Sequence, residues 1–394
     1  MKYENRYPCL SYLAEKARKR IPFFAWEYLA SGTGAERLVE RNRAALDNVQ
    51  LAPAVAEGRF QPNTSKSLFG QSYSVPFGAG PVGMSGLIWP GAELALAAAA
   101  RQCNFPFVLS MVANETPEDV AGVGGKNTWM QLYPPKEVEI EDDLLARFAA
   151  AGIENLVVTL DVPVGSRRER QLSAGLTVPP KVTPLTLLRV SMRPHWALAT
   201  LMHGQPRFNT LEKYFAAADM ADSAKMVGTI VDGRPDWDTV AKLREKWSGN
   251  LILKGIMTSN DADKCLDAGA DGIIVSNHGG RQFDGAPAAI DMLPDIVERI
   301  SRRIPVLYDS GILWGLDVLR ALSLGADFCL LGRGFLYAVA AIGPAGAAHA
   351  YSVLKQDLEN NMIQIGARNL DDLRNKAKVH VGGLRQTNNR LLAT

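Results

Sequence analysis

Residues 276–284 contain a histidine and an arginine three positions apart, with two glycines between them. Histidine titrates near neutral pH, so His278 can accept a proton, and the fixed charge of Arg281 can bind a carboxylate. The glycines let a substrate approach the backbone closely. The alternative is a surface turn in which the histidine only hydrogen-bonds a neighbour. A whole stretch of this type favours an enzyme that takes a proton from a small anion.

This stretch follows a run of apolar residues that is typical of a buried β-strand. Amphipathic, alanine-rich stretches such as 92–102 and 316–324 separate most runs of this kind. Apolar strands that alternate with helices predict a parallel sheet covered on both faces, and eight of them predict an α/β fold with a (β/α)8 TIM barrel. The eight predicted strands are 75–79, 107–110, 129–133, 156–161, 251–254, 272–276, 306–309 and 328–331.

Polar residues cluster where six of these strands end. Barrel enzymes build their active sites at this C-terminal rim. Strands that happen to end on a polar residue explain one or two of the six, but not all. The candidate rim residues are Ser110, Gln131, Tyr133, Thr159, Asp161, Lys254, Ser276, His278 and Asp309.

We interpret the whole chain, residues 1–394, as one domain. Helices are predicted within residues 1–60 and the barrel at about 75–365. The fourth and fifth strands lie much further apart than a barrel unit needs, which predicts an insertion at about 170–225.

Composition excludes several classes of function. The chain has 43 basic and 41 acidic residues, a net charge of +2, so nucleic acid is not expected as a partner. Its four cysteines are far apart, which favours free thiols over disulfides or a metal site. The charged N-terminus does not resemble a signal peptide, and no apolar run is long enough to span a bilayer. We therefore expect a cytoplasmic protein.

Residues 276–284 closely resemble the signature of the FMN-dependent 2-hydroxy acid oxidising flavoproteins, which include glycolate oxidase, lactate oxidases and mandelate dehydrogenase. The resemblance extends over about residues 21–366 in matching order. It implies a barrel that holds FMN at its C-terminal rim and oxidises an (S)-2-hydroxy acid to a 2-oxo acid.

The resemblance also implies roles for single residues. His278 acts as the base, and Asp161 orients it and stabilises the imidazolium. Arg168 and Arg281 match the arginines that hold the substrate carboxylate. Arg168 is chosen over its neighbouring arginines because it aligns with the family pattern, and no physical argument distinguishes them. Two further matches are Tyr28, which donates to the carboxylate, and Tyr133, which lies near the substrate hydroxyl.

Other matches concern FMN. Lys254 would lie beside the pyrimidine edge of the flavin, and the phosphate would lie after the seventh and eighth strands. The family usually has a basic residue two positions after Gly311, whereas this chain has Leu313, which predicts weaker FMN binding. The remaining FMN residues implied by the resemblance are Gly83, Ser110, Gln131, Thr159, Ser276, Asp309, Gly311, Gly332 and Arg333.

Two positions bear on the substrate and on the electron acceptor. Val112 stands where glycolate oxidases have tryptophan, which favours an aromatic or bulky, mandelate-like substrate. Gly83 stands where oxidases often have alanine and mandelate dehydrogenases have glycine, which favours a dehydrogenase. The alternatives are a soluble oxidase that reduces O2 to H2O2 and a non-redox, phosphate-binding barrel isomerase.

The segment 180–215 is apolar and basic, and it is similar to the membrane-binding insertion of bacterial mandelate dehydrogenases. It predicts peripheral contact with the inner face of the cell membrane and electron transfer to a quinone. Alternatively, these apolar residues pack on a neighbouring subunit or cover the site. The resemblance also implies a homotetramer.

Overall fold

Eight parallel strands form a closed barrel in the computed structural model, which describes residues 3–175, 183–214, 230–231, 234–376 and 378–380. The strands of the described residues are β1 Val49–Leu51, β2 Lys66–Leu68, β3 Gln71–Tyr73, β4 Phe77–Ala79, β5 Phe107–Ser110, β6 Thr128–Leu132, β7 Asn155–Thr159, β8 Asn250–Ile256, β9 Gly272–Val275, β10 Val306–Tyr308, β11 Phe328–Leu331 and β12 Lys378–His380.

Strands β4 to β11 pair in sequence order, and β11 pairs with β4 to close the barrel. Helices separate most of these strands, so the predicted (β/α)8 barrel is confirmed. The helices of the described residues are α1 Leu10–Arg20, α2 Phe23–Ala30, α3 Arg37–Asp47, α4 Ser85–Ile88, α5 Ala92–Cys103, α6 Pro117–Gly124, α7 Val138–Ala150, α8 Glu169–Ser173, α9 Pro184–Ser191, α10 Pro194–His203, α11 Trp237–Lys246, α12 Ser259–Asp267, α13 Ala289–Ile300, α14 Gly315–Ser323, α15 Arg333–Ile342 and α16 Ala345–Gln364.

The strand ends differ slightly from those predicted. Val75 and Pro76 precede β4, because proline has no N–H to donate to a ladder; the Pro76 carbonyl instead accepts from Cys329. Tyr133, Asp161 and Asp309 lie just beyond the last paired residues of their strands. Their side chains are therefore not fixed by the alternation of the sheet and can turn toward the rim.

A hairpin formed by β2 and β3 closes the N-terminal end of the barrel. Its Leu68 and Tyr73 belong to the same apolar cluster as the inward-facing strand residues. Trp129 donates to the Tyr73 hydroxyl over 3.1 Å, and the ring of Phe69 packs edge-on against Trp129. The bottom of the barrel is thus filled by aromatic side chains.

The N-terminal helices reach the opposite end. Thr33 donates its N–H to the carbonyl of Gly280, and the amides of Asn42 and Asn277 exchange two hydrogen bonds, of 2.9 and 2.7 Å. Since Asn277 and Gly280 belong to the loop after β9, the N-terminal extension directly supports that loop.

Two helices, α9 and α10, are described within the predicted insertion; residues 176–182 and 215–225 of that prediction lie outside the described residues. Trp196 of α10 is buried, donates to the carbonyl of Leu87 and packs edge-on against Phe24. One side of the insertion is therefore anchored to α4 and α2. Its outer side exposes apolar side chains, namely Leu187, Leu188, Met192, Leu198, Leu201 and Met202. In the described part of the chain, no helix has the length and apolar character needed to cross a bilayer.

Candidate active site

One cavity at the C-terminal rim collects side chains from most strand ends. Asp161 and Ser276 are not part of its lining, but each contacts a residue that is. The predicted site residues that line it are Tyr28, Gly83, Ser110, Gln131, Tyr133, Thr159, Arg168, Lys254, His278, Arg281, Asp309, Gly311, Gly332 and Arg333.

His278 and Asp161 form a hydrogen-bonded pair, with Nδ1 and Oδ1 3.0 Å apart. If Nδ1 carries the proton toward the carboxylate, Nε2 is left as an acceptor. His278 has a left-handed backbone with φ of 57°, which is rare outside glycine, and its N–H is held by the Ser276 hydroxyl. Burial lowers the pKa of His278, although Asp161 opposes that shift. The imidazole is therefore neutral, and able to accept a proton, at neutral pH.

Lys254 lies between two carboxylates at the end of β8, and its side chain is only 4% exposed. Its Nζ is 3.7 Å from Asp161 and 3.7 Å from Asp309, and it donates to the Ser276 hydroxyl over 3.0 Å. Burial alone would lower the pKa of Lys254, but these two carboxylates outweigh it and raise that pKa. Burial would likewise raise the pKa of Asp161, but Lys254 and His278 lower it. Both groups are thus charged at neutral pH.

The guanidinium groups of Arg168, Arg281 and Arg333 line the same cavity. Arg281 donates to the carbonyls of Tyr28 and Ser31, and Arg333 also donates to Ser31. Burial, followed by repulsion from Arg168, lowers the pKa of Arg281 to about 9. Among the described residues, none of the three arginines forms an ion pair. Such a surplus of partly buried positive charge is stabilised when an anion binds.

The two predicted tyrosines lie beside these groups. Tyr28 donates its hydroxyl to the carbonyl of Gly83 over 2.8 Å, and its ring lies under the guanidinium of Arg281. Burial raises the pKa of Tyr133 to about 12, so its phenol keeps its proton and can donate it in a hydrogen bond. Both hydroxyls can therefore serve as donors to an anionic ligand.

Comparison with known proteins agrees with this geometry. The model of a family described as FMN-dependent dehydrogenase matches residues 17–380. The (S)-mandelate dehydrogenase of Pseudomonas putida is 34% identical over 357 residues, 90% of each chain. The L-lactate dehydrogenase of Ectopseudomonas mendocina (strain ymp) is 35% identical and covers 91% of this chain and 94% of its own.

The chain belongs to the FMN-dependent dehydrogenase family. A crystal structure of the monotopic membrane protein (S)-mandelate dehydrogenase superposes with a TM-score of 0.90 at 31% identity, over 95% of this chain and all of that one. The predicted family, FMN as cofactor and the oxidation of a 2-hydroxy acid are thereby confirmed.

The cavity of this FMN-dependent dehydrogenase has polar groups that suit FMN. Gln131 accepts from the Ser110 hydroxyl, while its buried Nε2 has no hydrogen-bond partner in the described part of the chain. An amide donor left in this way suits an acceptor atom of a flavin ring. Helix α15 begins at Arg333, which also lines the cavity, and the first N–H groups of a helix together with an arginine suit a phosphate. These residues would hold the cofactor.

The cavity is also lined by residues that the sequence analysis did not predict, among them Val39, Asn42, Arg43 and Tyr337. Asn42, Arg43 and Val39 belong to α3, which resembles any amphipathic surface helix. Only the tertiary contacts of α3 with the loops after β9 and β10 bring these side chains to the rim. No local sequence signal identifies them.

Proposed function

We propose that this FMN-dependent dehydrogenase oxidises an (S)-2-hydroxy acid with an aromatic or bulky substituent and passes the electrons to a membrane quinone. The observation that carries the proposal is the convergence in one cavity of a neutral imidazole and two arginines, Arg168 and Arg281, that form no ion pair with any described residue. A proton acceptor beside an anion site is what a 2-hydroxy carboxylate requires.

In the proposed mechanism, Arg168 and Arg281 bind the substrate carboxylate and fix the orientation of C2. Tyr28 donates a further hydrogen bond to that carboxylate, and Tyr133 donates to the substrate hydroxyl. His278 accepts a proton from the substrate at Nε2, while Asp161 holds the Nδ1–H and stabilises the resulting imidazolium.

Bound FMN supplies the two-electron acceptor. Lys254, which carries its charge in a buried position, offsets negative charge that develops on a group bound beside it. Gln131 and Ser110 orient that group through hydrogen bonds. Arg333 and the first turn of α15 bind its phosphate.

The substituent on C2 is proposed to be bulky because Val112 lines the cavity at a place where glycolate oxidases have the larger tryptophan. A Cβ added to Gly83 would lie 2.6 Å from a methyl group of Val112 and 3.5 Å from the Tyr28 hydroxyl. Gly83 and Val112 therefore pack closely, and a larger residue at position 83 would require Val112 to move. Aromatic 2-hydroxy acids should be turned over better than glycolate.

The membrane acceptor is supported by the outer surface of the insertion. Helix α10 exposes Leu198, Leu201 and Met202, of which Leu201 is 81% exposed. Arg189 and Arg193 flank these apolar residues, and the guanidinium of Arg189 lies over the Phe23 ring. Exposed apolar side chains with basic residues on or next to the same helices suit the interface of an anionic bilayer. The similar (S)-mandelate dehydrogenase is itself described as monotopic.

An anaerobic titration tests the reaction. The purified protein should be yellow, and mandelate, 4-hydroxymandelate, lactate and long-chain hydroxy acids can be compared by the bleaching of flavin absorbance. Faster bleaching by the aromatic acids is expected. A colourless protein, or bleaching by none of these acids, would refute the proposal.

Two further measurements concern the acceptor. Reduced enzyme mixed with O2 should reoxidise slowly, since rapid formation of H2O2 would favour a soluble oxidase instead. Protein lacking residues 180–215 should lose its partition into lipid vesicles, and equal solubility of both forms would contradict membrane binding. The homotetramer stays a prediction that light scattering of the detergent-solubilised enzyme would check.

A further inference from the structure

The loop expected to bind the FMN phosphate carries no cation of its own. Residues 310–314 read Ser-Gly-Ile-Leu-Trp, so the loop has no basic side chain. Arg333, the first residue of α15, lines the same cavity. A phosphate monoester carries close to two negative charges at neutral pH, so one arginine leaves it only partly compensated.

A second cation reaches this place from the N-terminal extension. Arg43 of α3 lines the same cavity as Gly311, Leu313 and Arg333. Its Nη1 donates to the carbonyl of Gly311 over 2.7 Å and to Asp317 over 2.6 Å. The guanidinium is thus fixed directly beside the cation-free loop.

The backbone at Gly311 is what permits this approach. Gly311 has φ of 95°, and a Cβ at this position would lie 3.2 Å from Cβ of Asn42 and 3.3 Å from a methyl group of Leu46. Asn42 and Leu46 both belong to α3, so this helix packs directly against the backbone of Gly311. The contact holds Arg43 at a fixed distance from the loop.

Arg43 also has donors to spare. A guanidinium has five N–H donors. Three are accounted for by Gly311, Asp317 and a 3.4 Å contact with Asp47, and in the described part of the chain the other two have no acceptor.

The charges around Arg43 favour an anion. Asp317 is fully buried, and it forms an ion pair with Arg320 over 3.0 Å in addition to the one with Arg43. The other carboxylate, Asp47, pairs with Arg320 over 2.9 Å and with Arg43 over 3.4 Å, but it is 60% exposed, so water screens much of its charge. One buried carboxylate therefore faces two guanidinium groups.

We propose that Arg43 is the second phosphate-binding cation of this enzyme and replaces the cation that its own phosphate loop lacks. The inference rests on the proposed binding of FMN in this cavity. It makes α3 a part of the cofactor site, so the N-terminal extension is required for tight cofactor binding and not only for packing.

The test compares two flavins that differ only in the phosphate. Apoprotein is titrated with FMN and with riboflavin, and binding is followed by quenching of flavin fluorescence. Arg43→Gln should raise the dissociation constant for FMN by roughly tenfold or more, the usual loss for a charge-assisted hydrogen bond, and leave that for riboflavin within about twofold. Because Arg320 still pairs with Asp317, the buried carboxylate keeps a partner in this variant.

Arg37→Gln is the matched control, since Arg37 is an exposed arginine of the same helix and pairs only with Glu40 among the described carboxylates. It should leave both constants unchanged. An equal loss of FMN and riboflavin affinity in Arg43→Gln would overturn the inference, because a purely structural role affects both flavins. Unchanged FMN affinity would overturn it as well. Wild-type protein that binds neither flavin would instead refute the proposed function itself.

A second variant tests the inference if Arg43→Gln does not fold. Leu313→Arg in the otherwise native chain adds a cation to the loop. If Arg43 already supplies that charge, the gain in FMN affinity should stay below about threefold. A gain of tenfold or more would mean that the phosphate lacks a second cation, and would contradict the inference.

Discussion

The rim cavity and the outer face of the insertion reverse the usual distribution of side chains in opposite ways. The cavity buries Lys254 and holds Arg281 and Arg333 only partly exposed, where charges are costly. The insertion keeps Leu201 and Met202 in water, where large apolar groups are costly. Each region is stabilised when a complementary partner binds, an anion in the cavity and an apolar surface at the insertion.

The two regions differ in how narrowly that partner is specified. In the cavity, each charge is held by hydrogen bonds of about 3 Å from several elements of the fold, so the partner is selected by the positions of its atoms. In the insertion, Trp196 is anchored, but the exposed side chains contact little. Such a surface favours an apolar environment, such as a lipid interface, and does not recognise a particular molecule. Variants in the cavity should therefore have large, specific effects, whereas those in the insertion should have smaller, additive ones.

His278→Gln should give the largest effect. Glutamine cannot accept the proton, so turnover should fall by roughly 10²–10⁴-fold while FMN stays bound. The loss is measured by anaerobic bleaching of the flavin, and flavin content is measured after protein precipitation. The control is His195→Gln, an exposed histidine of the insertion, which should turn over normally. Normal turnover in His278→Gln would remove the proposed base.

Arg281→Met should lower kcat/KM for the hydroxy acid by roughly 100-fold, since a charge-assisted pair to the carboxylate is lost. The methyl ester of the same acid has no carboxylate charge, and its slower turnover should change far less. Arg193→Met, in the insertion, serves as the control. Equal losses for acid and ester would show that Arg281 does not bind the carboxylate.

Replacing Leu198, Leu201 and Met202 together by asparagine should release the protein from anionic vesicles. Each side chain contributes about 1 kcal/mol of apolar burial, so the partition coefficient should fall by roughly 30–300-fold. Activity with a soluble dye as acceptor should not change. Val55→Asn, an exposed apolar residue outside the insertion, is the control. Undiminished sedimentation of the triple variant with vesicles would assign the apolar surface to another role.

The smallest effect concerns Glu93, a buried acid outside the cavity. Its Oε1 accepts from the N–H groups of Gly86 and Asn114, each over 3.1 Å, while Oε2 has no hydrogen-bond partner in the described part of the chain. Burial raises the pKa of Glu93 to about 7. The stability that its protonated form contributes is present below pH 4.5 and is lost as the pH rises through 7.

Glu93→Gln should therefore be more stable than the wild type at pH 8, on the order of 1–3 kcal/mol, with little difference at pH 5. Urea unfolding at both pH values measures this. Glu139→Gln, an exposed residue of α7, should show no pH-dependent gain. A gain that is equal at both pH values would mean that the charge of Glu93 is not the cause. Glu93 would then not serve as an example of a buried charge that costs stability, in contrast to the cavity charges, which a bound anion stabilises.

The sequence predicted the barrel and much of the rim because both depend on local patterns. Lys254 and Asp309 were recognisable since each interrupts an apolar strand at its end. Arg43 was not recognisable, because its place in the cavity depends on how α3 packs against Gly311, some 270 residues further along the chain. The choice of Arg168 over Arg167 depended on resemblance, since both follow the same strand.

The aromatic hairpin under the barrel has a kinetic consequence. Since Phe69, Tyr73 and Trp129 fill the lower end of the barrel, the described residues leave the rim as the entrance to the flavin pocket. The hydroxy acid and the oxidant must then take turns in it, so the keto acid has to depart before the second reactant can enter. Initial-rate plots for two varied reactants should give parallel lines, the pattern of an enzyme that alternates between two forms.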